Sequence, residues 1–230
     1  RLFSCLHGVT LNVGRVMTPT LAMTVEREAA IDAFRPEPFY TVLLQMEGYM
    51  ASSERFKEKA KAEELLAECR KSSRAFVQKS ERKEKAERPP ALYDLTTLQR
   101  DANRMLGYSA QQTLDYTQAL YEKKFVTYPR TDSRYLTEDM AAGLPGLVMD
   151  TAAAFGFRGA IPVHAKQVIN NKKVSDHHAI LPTQSVVGAD LSSLPAGEVS
   201  ILRLIAARLL SAVGEPYRYA ETTVQFECAG

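Results

Sequence analysis

The sequence predicts an α+β protein, mainly helical, in which a small β-sheet domain is interrupted by a helical insertion. Strand patterns lie on both sides of the insertion: residues 39–50 and 74–82 are β-rich, and residues 219–228 alternate apolar and polar side chains. The tract "RPP" at 88–90 marks a boundary, because the apolar period becomes helical after it. Residues 198–213 form the most apolar predicted helix. The insertion therefore begins near 88 and ends near 195.

Two helices are predicted before the boundary. Residues 18–33 follow Thr18, a good N-cap residue, and Pro19, which suits the first helical position. Residues 54–70 are dense in strong helix formers.

The insertion itself begins with two well-marked helices. The first carries an apolar face from Leu95 onwards and ends at Gly107. The second begins at Ser109, where Gln112 completes a capping box. A short helix capped by Thr137 follows. Loops are predicted through 143–162, with a short apolar segment at 147–155, before the apolar helix at 198–213.

Composition indicates a globular protein outside the membrane. Of the 230 residues, 45% are hydrophobic and 24% are charged, and no apolar run reaches the roughly 18 residues that a membrane span needs. The first residue is Arg1, and a strand-like run ends just before Gly230, so we expect a fragment of a longer protein. The three cysteines, Cys5, Cys69 and Cys228, form no disulfide or metal-binding pattern, which is typical of a reducing cytoplasm.

Charge is unevenly distributed although the net charge is only +2. Residues 71–88 hold seven Lys or Arg side chains against three Glu. This tract is either a solvated strand face or an electrostatic track for a phosphate backbone.

The stretch "FVTYPRTDS" raises a question of chemistry. Free tyrosine is almost entirely protonated at neutral pH, so a tyrosine nucleophile needs a base or a neighbouring cation. Arg130 lies two residues after Tyr128, on the same face of an extended segment. It could stabilise a phenolate or hold a phosphate in a two-point contact, with Asp132 orienting an arginine. The residues by themselves favour an ordinary half-buried tyrosine at a strand-to-turn junction over a nucleophile.

Two further stretches carry candidate phosphate-binding residues. In "SDHHAILPT", 175–183, His177 and His178 could position a phosphate or carry a proton, or could be ordinary loop residues. Near the start, Gly14 and Arg15 precede a predicted helix N-terminus, which is a plausible but weak phosphate site. Nothing near the histidines has the spacing of a zinc site, so no metal-ligating residue is predicted.

Together these motifs resemble the type IA DNA topoisomerases. "LNVGRVMTPTLAMTVERE", "FVTYPRTDSRYL" and "SDHHAILPT" occur in the order and approximate spacing of that family, and "LYDLTTLQRDANRMLGYS" at 92–109 is most similar to the bacterial topoisomerase III branch. The resemblance covers essentially the whole chain.

The resemblance implies a cytoplasmic, nucleoid-associated isomerase. Its tyrosine attacks single-stranded DNA, becomes linked to a 5′ phosphate, and lets another strand pass before the ends are rejoined without ATP. The implied catalytic residues are Tyr128, Arg130 and His177, and the implied DNA-binding residues are Gly14, Arg15, Thr127, Asp132 and His178. We expect a monomer with single-stranded DNA as its partner; a helicase partner is not identifiable. A relative that binds single-stranded DNA without cleaving it is the alternative.

The resemblance also implies a domain plan. Residues 1–37 would be part of a DNA-binding gate, residues 38–88 and 196–230 a discontinuous β-rich arch or hinge, and residues 89–195 the helical domain that carries the tyrosine. The N-terminal TOPRIM domain of the family, which binds Mg²⁺ through a glutamate and an Asp-x-Asp motif, is not found in this sequence. We therefore expect the fragment to bind no metal and to be inactive by itself. Met17 and Asn12 also depart from the family pattern.

Overall fold

The computed structural model describes residues 2–72, 74–159 and 161–228. Residues 1, 73, 160, 229 and 230, which fall within the predicted domain ranges, lie outside the described residues. The chain divides into two compact units. The first comprises Arg1–Glu81 and Thr223–Gly230, and the second comprises Arg82–Thr222.

A β-hairpin occupies the region predicted as one strand at 39–50. The strands are β1, Leu43–Met46, and β2, Tyr49–Ser52, and they pair antiparallel. Gly48 adopts a positive φ of 84°, which allows the chain to reverse between them. The prediction of a single strand is therefore wrong, because the glycine that breaks the apolar run makes a turn.

The helices of the first unit are α1, Leu2–His7; α2, Met17–Asp32; and α3, Lys59–Lys71. The prediction for α2 is confirmed apart from its cap. Val16 occupies the N-cap position, and the Thr18 hydroxyl instead accepts a hydrogen bond from the Gly14 N–H at 3.1 Å. α3 begins later than predicted, since residue 54 still belongs to an extended stretch.

Two long strands form a second two-stranded sheet: β3, Phe76–Glu87, and β4, Tyr217–Glu227. The division between the two units falls within both strands. Most side chains of β3 and β4 are exposed, and Phe226 is the half-buried exception in β4. Several cations of β3 pair with carboxylates, including Lys79 with Glu81 and Arg82 with Glu84.

The second unit contains α4, Leu95–Leu106; α5, Ala110–Glu122; α6, Leu144–Ala154; and α7, Ala196–Ala212. Five short 3₁₀ helices connect them, at Glu138–Met140, Ala165–Gln167, Asn171–Lys173, Gln184–Val186 and Leu191–Ser193. The capping box of Ser109 and Gln112 is confirmed, and Asp94 and Thr97 form a second one at the start of α4. Gly107 ends α4 in the left-handed conformation with φ 73°.

Helix α6 replaces the loop predicted around 143–162. Pro145 lies in its first turn, where the missing N–H removes no helical hydrogen bond. Leu144, Val148 and Thr151 are buried along one side. The glycine and proline content of this region misled the sequence prediction, because these residues lie in the first turn or outside the helix and do not interrupt it.

Helix α7 forms the centre of the second unit and packs against α4, α5 and α6. Its fully buried side chains include Ile201, Leu202, Ile205 and Leu209. The helical unit therefore continues beyond 195, the residue at which the sequence predicted its end. The reason is that α7 is apolar around most of its circumference and needs neighbours on several sides.

In the part of the chain that the structure describes, no helix is both long enough and apolar enough to cross a membrane.

Candidate active site

The segment that carries Tyr128 is held against residues 179–183. The Thr127 N–H donates to the Leu181 carbonyl at 2.9 Å, and the Leu181 N–H donates to the Thr127 hydroxyl oxygen at 2.9 Å. That hydroxyl donates in turn to the Ala179 carbonyl at 3.2 Å. Val126 and Pro182 form an antiparallel bridge. Thr127 thus joins the tyrosine segment to the segment that follows the histidines.

The ring of Tyr128 contacts two other rings. Its centroid is 4.4 Å from that of His177 with the planes inclined at 44°, and 5.4 Å from that of Tyr121 in an edge-to-face arrangement. Tyr128 is half-buried, and Pro129 beside it is buried. The predicted association of Tyr128 with His177 is therefore present in the geometry, although the two residues are far apart in sequence.

A second connection holds the backbone of His177. The Thr131 hydroxyl donates to the His177 carbonyl at 2.9 Å and accepts from the Ser133 N–H at 3.1 Å. The Ser133 hydroxyl donates to the Lys173 carbonyl at 2.8 Å. Thr131 and Ser133 are both buried, so these bonds are shielded from water. The residues after Tyr128 therefore fix the loop that presents His177.

A surface cavity of about 390 Å³ opens beside His177. It is lined by Arg130, Asp132, Asp176 and the first residues of α4, Leu95 and Thr96, among others. Arg130 is exposed and can move within this cavity. No ion pair of Asp132 occurs among the described residues, so the predicted pairing of this carboxylate with an arginine is not found there.

The two adjacent histidines differ in their surroundings. His177 is exposed, and its ring contacts Tyr128. His178 is half-buried, and its Nδ1 lies 2.7 Å from the Ala179 carbonyl oxygen. Because a carbonyl oxygen only accepts, Nδ1 carries the proton in this bond. His178 is thus bonded to the adjacent residue of its own loop, and its Nε2 is the nitrogen left for a ligand.

Gly14 and Arg15 lie in the first unit, just before α2, whereas Tyr128, Arg130 and His177 lie in the second. The Gly14 N–H is already bonded to the Thr18 hydroxyl, and the Gly14 carbonyl accepts from the Thr18 N–H at 3.1 Å. Arg15 is exposed. Of the two, the Arg15 side chain is therefore the group available to a phosphate, and a DNA-binding role for either residue stays a prediction.

Two features beside the site were not predicted. Tyr121, near the end of α5, contacts Tyr128, and no local pattern in the sequence distinguishes it. The Tyr93 carbonyl oxygen accepts a hydrogen bond from the Ile180 N–H at 2.8 Å. The Tyr93 hydroxyl donates a hydrogen bond to the Asp101 carboxylate at 2.9 Å. The Arg208 guanidinium covers the Tyr93 ring at 4.2 Å. Burial raises the pKa of Tyr93 above its ordinary value, although the hydrogen bond from Arg208 acts in the opposite direction.

The donor set does not fit the Mg²⁺ ion that the resemblance implies. Mg²⁺ prefers six oxygen ligands in octahedral geometry. Within residues 2–72, 74–159 and 161–228, no group of three or more His, Cys, Asp or Glu side chains converges on one point. The two carboxylates of the cavity, Asp132 and Asp176, share it with the Arg130 cation. Two carboxylates are too few for this coordination, and no step of the chemistry is assigned to a metal here.

Comparison with known proteins gives one consistent result. The family model for DNA topoisomerase matches residues 1–230. DNA topoisomerase 3 of Bacillus subtilis (strain 168) is 39% identical over 244 residues, and that of Staphylococcus aureus (strain MRSA252) is 35% identical over 240 residues. Each match covers 100% of this chain and 33% of the relative, so the chain spans about a third of the length of these curated relatives.

A solved structure is similar as well. The full-length topoisomerase I from Thermotoga maritima superposes with a TM-score of 0.70 and 26% sequence identity. The match covers 95% of this chain and 36% of that one.

Proposed function

Because the chain belongs to the DNA topoisomerase family and matches its type IA, topoisomerase III-like members, we propose that it carries the strand-cleaving tyrosine of such an enzyme. The whole enzyme cleaves one DNA strand transiently, holds the end as a 5′-phosphotyrosine, passes another strand and rejoins the first. It relaxes or decatenates DNA in this way as an isomerase.

The contact between Tyr128 and His177 carries the proposal. His177 touches the Tyr128 ring and lines the same cavity as Arg130. A tyrosine and a histidine in ring contact, with an arginine in the cavity that the histidine also lines, form the set needed to attack a phosphodiester: a nucleophile, a proton carrier and a cation. An ordinary half-buried tyrosine at a turn does not require the other two.

The proposed step is a transesterification. The Tyr128 hydroxyl oxygen gives up its proton and attacks the phosphorus, and the bond from phosphorus to the 3′ oxygen breaks. The 3′ oxygen takes up a proton and leaves as a hydroxyl group. Religation is the reverse, with the 3′ hydroxyl attacking the phosphotyrosine. One ester replaces another, so the bond energy is retained and no ATP is consumed.

Each neighbouring residue has a role in this proposal. Arg130 holds the scissile phosphate by a charge-assisted contact and stabilises the charge that develops on it. His177 assists at the same phosphate. Thr127 keeps the Tyr128 segment paired with residues 179–183 through its three hydrogen bonds. Asp132 and His178 lie at the edge of the DNA path.

Residues of the first unit contribute to binding rather than to chemistry. Arg15, preceded by Gly14, contacts the DNA backbone in this proposal, and residues 1–37 form part of the gate. The segment 38–88 and strand β4 then correspond to the arch or hinge of the family, and residues 89–195, together with α7 that packs against α4, α5 and α6, to the tyrosine-carrying domain. The enzyme acts as a monomer on DNA in the bacterial cytoplasm.

The isolated 230 residues should bind single-stranded DNA without relaxing a plasmid. The metal-binding Asp-x-Asp motif that the family implies is not among these residues. Incubation with supercoiled plasmid and Mg²⁺, followed by gel electrophoresis, measures relaxation. Efficient relaxation by the 230 residues would contradict this part of the proposal.

Covalent trapping on the full-length enzyme tests the central claim. A single-stranded oligonucleotide labelled at its 3′ end is incubated with the enzyme and Mg²⁺ and denatured rapidly. Wild type should retain the label on the protein, because the 5′ phosphate of the labelled fragment is bound to Tyr128. Tyr128→Phe should bind the oligonucleotide with unchanged affinity and trap none. DNA binding without trapping by wild type would favour the alternative, a relative that does not cleave.

A further inference from the structure

Two of the three cysteines meet in the first unit although 159 residues separate them in sequence. Cys69 lies in the last turn of α3, and Cys228 directly follows β4. The Cys69 sulfur is 3.8 Å from the Cys228 carbonyl oxygen, and the Cys228 sulfur is 4.0 Å from the Cys69 carbonyl oxygen. The Cys228 sulfur also lies 3.7 Å from the Arg74 carbonyl. These reciprocal contacts place the two side chains against each other.

The surroundings of Cys69 affect its ionisation. Burial raises the pKa of the Cys69 thiol above its ordinary value, and the side-chain hydrogen bond with Cys228 raises it further. At neutral pH Cys69 therefore remains protonated, and its reactivity increases as the pH rises towards its pKa.

Both thiols can be reached from solvent. Each is half-buried and lines a cavity of about 390 Å³, whose other walls include Leu44, Leu65 and Phe226. The cavity belongs entirely to the first unit. A small uncharged oxidant fits such a space more readily than a bulky charged disulfide such as oxidised glutathione.

We propose that Cys69 and Cys228 are a redox-active thiol pair that hydrogen peroxide converts into an intramolecular disulfide. One thiolate attacks a peroxide oxygen, the O–O bond breaks, and a sulfenic acid and water form after proton uptake. The second thiol loses its proton and attacks the sulfenic sulfur, the S–S bond forms, and the S–OH bond breaks to release a second water. The two thiols lose two electrons, and the peroxide gains them.

The disulfide would fasten the end of β4 to the last turn of α3. In the reduced state, Cys228 is held beside α3 by noncovalent contacts alone. Cys228 is also the last described residue of the chain. A cross-link over so long a loop restricts the unfolded chain strongly and stabilises the folded unit. Oxidation should therefore raise the midpoint of thermal unfolding by about 5 °C.

Oxidation of the full chain by hydrogen peroxide tests the proposal, with Cys5 as the internal control because it is exposed in α1. Wild type and Cys5→Ser should both lose two hydrogens by intact-mass measurement. Non-reducing peptide mapping should give one linked pair, Cys69 with Cys228, which dithiothreitol separates. Cys69→Ser and Cys228→Ser should each abolish the intramolecular link. The rate for wild type should rise between pH 7 and pH 9.

A measurement on the unsubstituted protein guards against variants that fail to fold. Phenylarsine oxide bridges only neighbouring thiols, so reduced Cys5→Ser and reduced wild type should each bind one equivalent across Cys69 and Cys228. Three results would overturn the proposal. The first is the absence of the bridged species, and the second is linkage that involves Cys5 as often as the pair. The third is separate oxidation of the two thiols to sulfinic acids.

Discussion

At the scale of single residues, Tyr128 is defined by side chains that come from other segments. His177 contacts its ring, and the hydrogen bond from Thr131 to His177 spans 46 residues of sequence. Tyr121, at the end of α5, contacts the same ring edge to face. The half-buried environment holds the aromatic ring while the neighbouring cavity keeps Arg130 accessible.

Removal of the Arg130 guanidinium should weaken catalysis more than binding. In the full-length enzyme, Arg130→Ala should lower the rate of covalent-complex formation roughly 10- to 100-fold, the effect of losing one charge-assisted hydrogen bond. Arg130→Lys should recover only part of the rate, because an ammonium cannot make a two-point contact. Single-turnover cleavage of a labelled oligonucleotide gives the rates. Arg100→Ala, an exposed arginine on α4, is the control, and an equal loss there would remove the argument for Arg130.

Substitution of Tyr121 tests the ring contact. Tyr121→Ala should reduce covalent-complex formation about 3- to 10-fold, since an aromatic pair contributes about 0.5–1.5 kcal/mol. Tyr121→Phe keeps the ring and should retain nearly the wild-type rate. If the phenylalanine variant is as impaired as the alanine variant, the hydroxyl and not the ring contact is what matters.

At the scale of elements, the second unit depends on close packing between α5 and α7. Gly197, at the start of α7, leaves room for the Tyr116 ring; a Cβ built at this glycine would lie 2.4 Å from that ring. Tyr116 in turn contacts Tyr108 edge to face at 5.3 Å. The glycine is therefore needed for close approach and not for an unusual backbone angle.

Two glycine substitutions should consequently have opposite signs. Gly197→Ala should lower the free energy of unfolding by about 1–3 kcal/mol, because the Tyr116 ring must move out of a packed position. Gly146→Ala, in α6, has open space around its Cβ and should raise that free energy by about 0.5–1 kcal/mol through helix propensity. Urea denaturation of both variants measures the difference. Stabilisation by both would show that Tyr116 moves without cost.

At the scale of the whole molecule, the chain combines an exposed, charged first unit with a well-packed second one. No residue of α1 or α2 is buried, whereas α7 alone contributes eight buried residues. Cations of β3 are partly neutralised, as Lys85 is by Glu221 at 2.5 Å. Single-stranded DNA would therefore be held by a few unpaired cations and not by the basic tract as a whole.

The salt dependence of DNA binding should identify those cations. For single strands the logarithm of affinity falls with the logarithm of salt concentration by about 0.7 for each phosphate contact. Arg15→Ala should reduce the slope by about that amount when binding is followed by fluorescence anisotropy. Lys61→Ala, whose ammonium lies 3.1 Å from Glu58, should leave the slope unchanged. Equal slopes for Arg15→Ala and wild type would exclude a phosphate contact by Arg15.

The sequence by itself determined the local features of this protein. The limits of α4 and the capping box of α5 depend on residues that are neighbours in sequence. The family motif around Tyr128 is also a local feature of the sequence. Only the tertiary structure decided that α7 belongs to the helical unit, that the 39–50 run is a hairpin, and that Cys69 meets Cys228. It also decided that His177 contacts Tyr128 while His178 bonds to the carbonyl of the adjacent Ala179. Such contacts depend on which distant surfaces exclude water together, and that information is not contained in any short stretch of sequence.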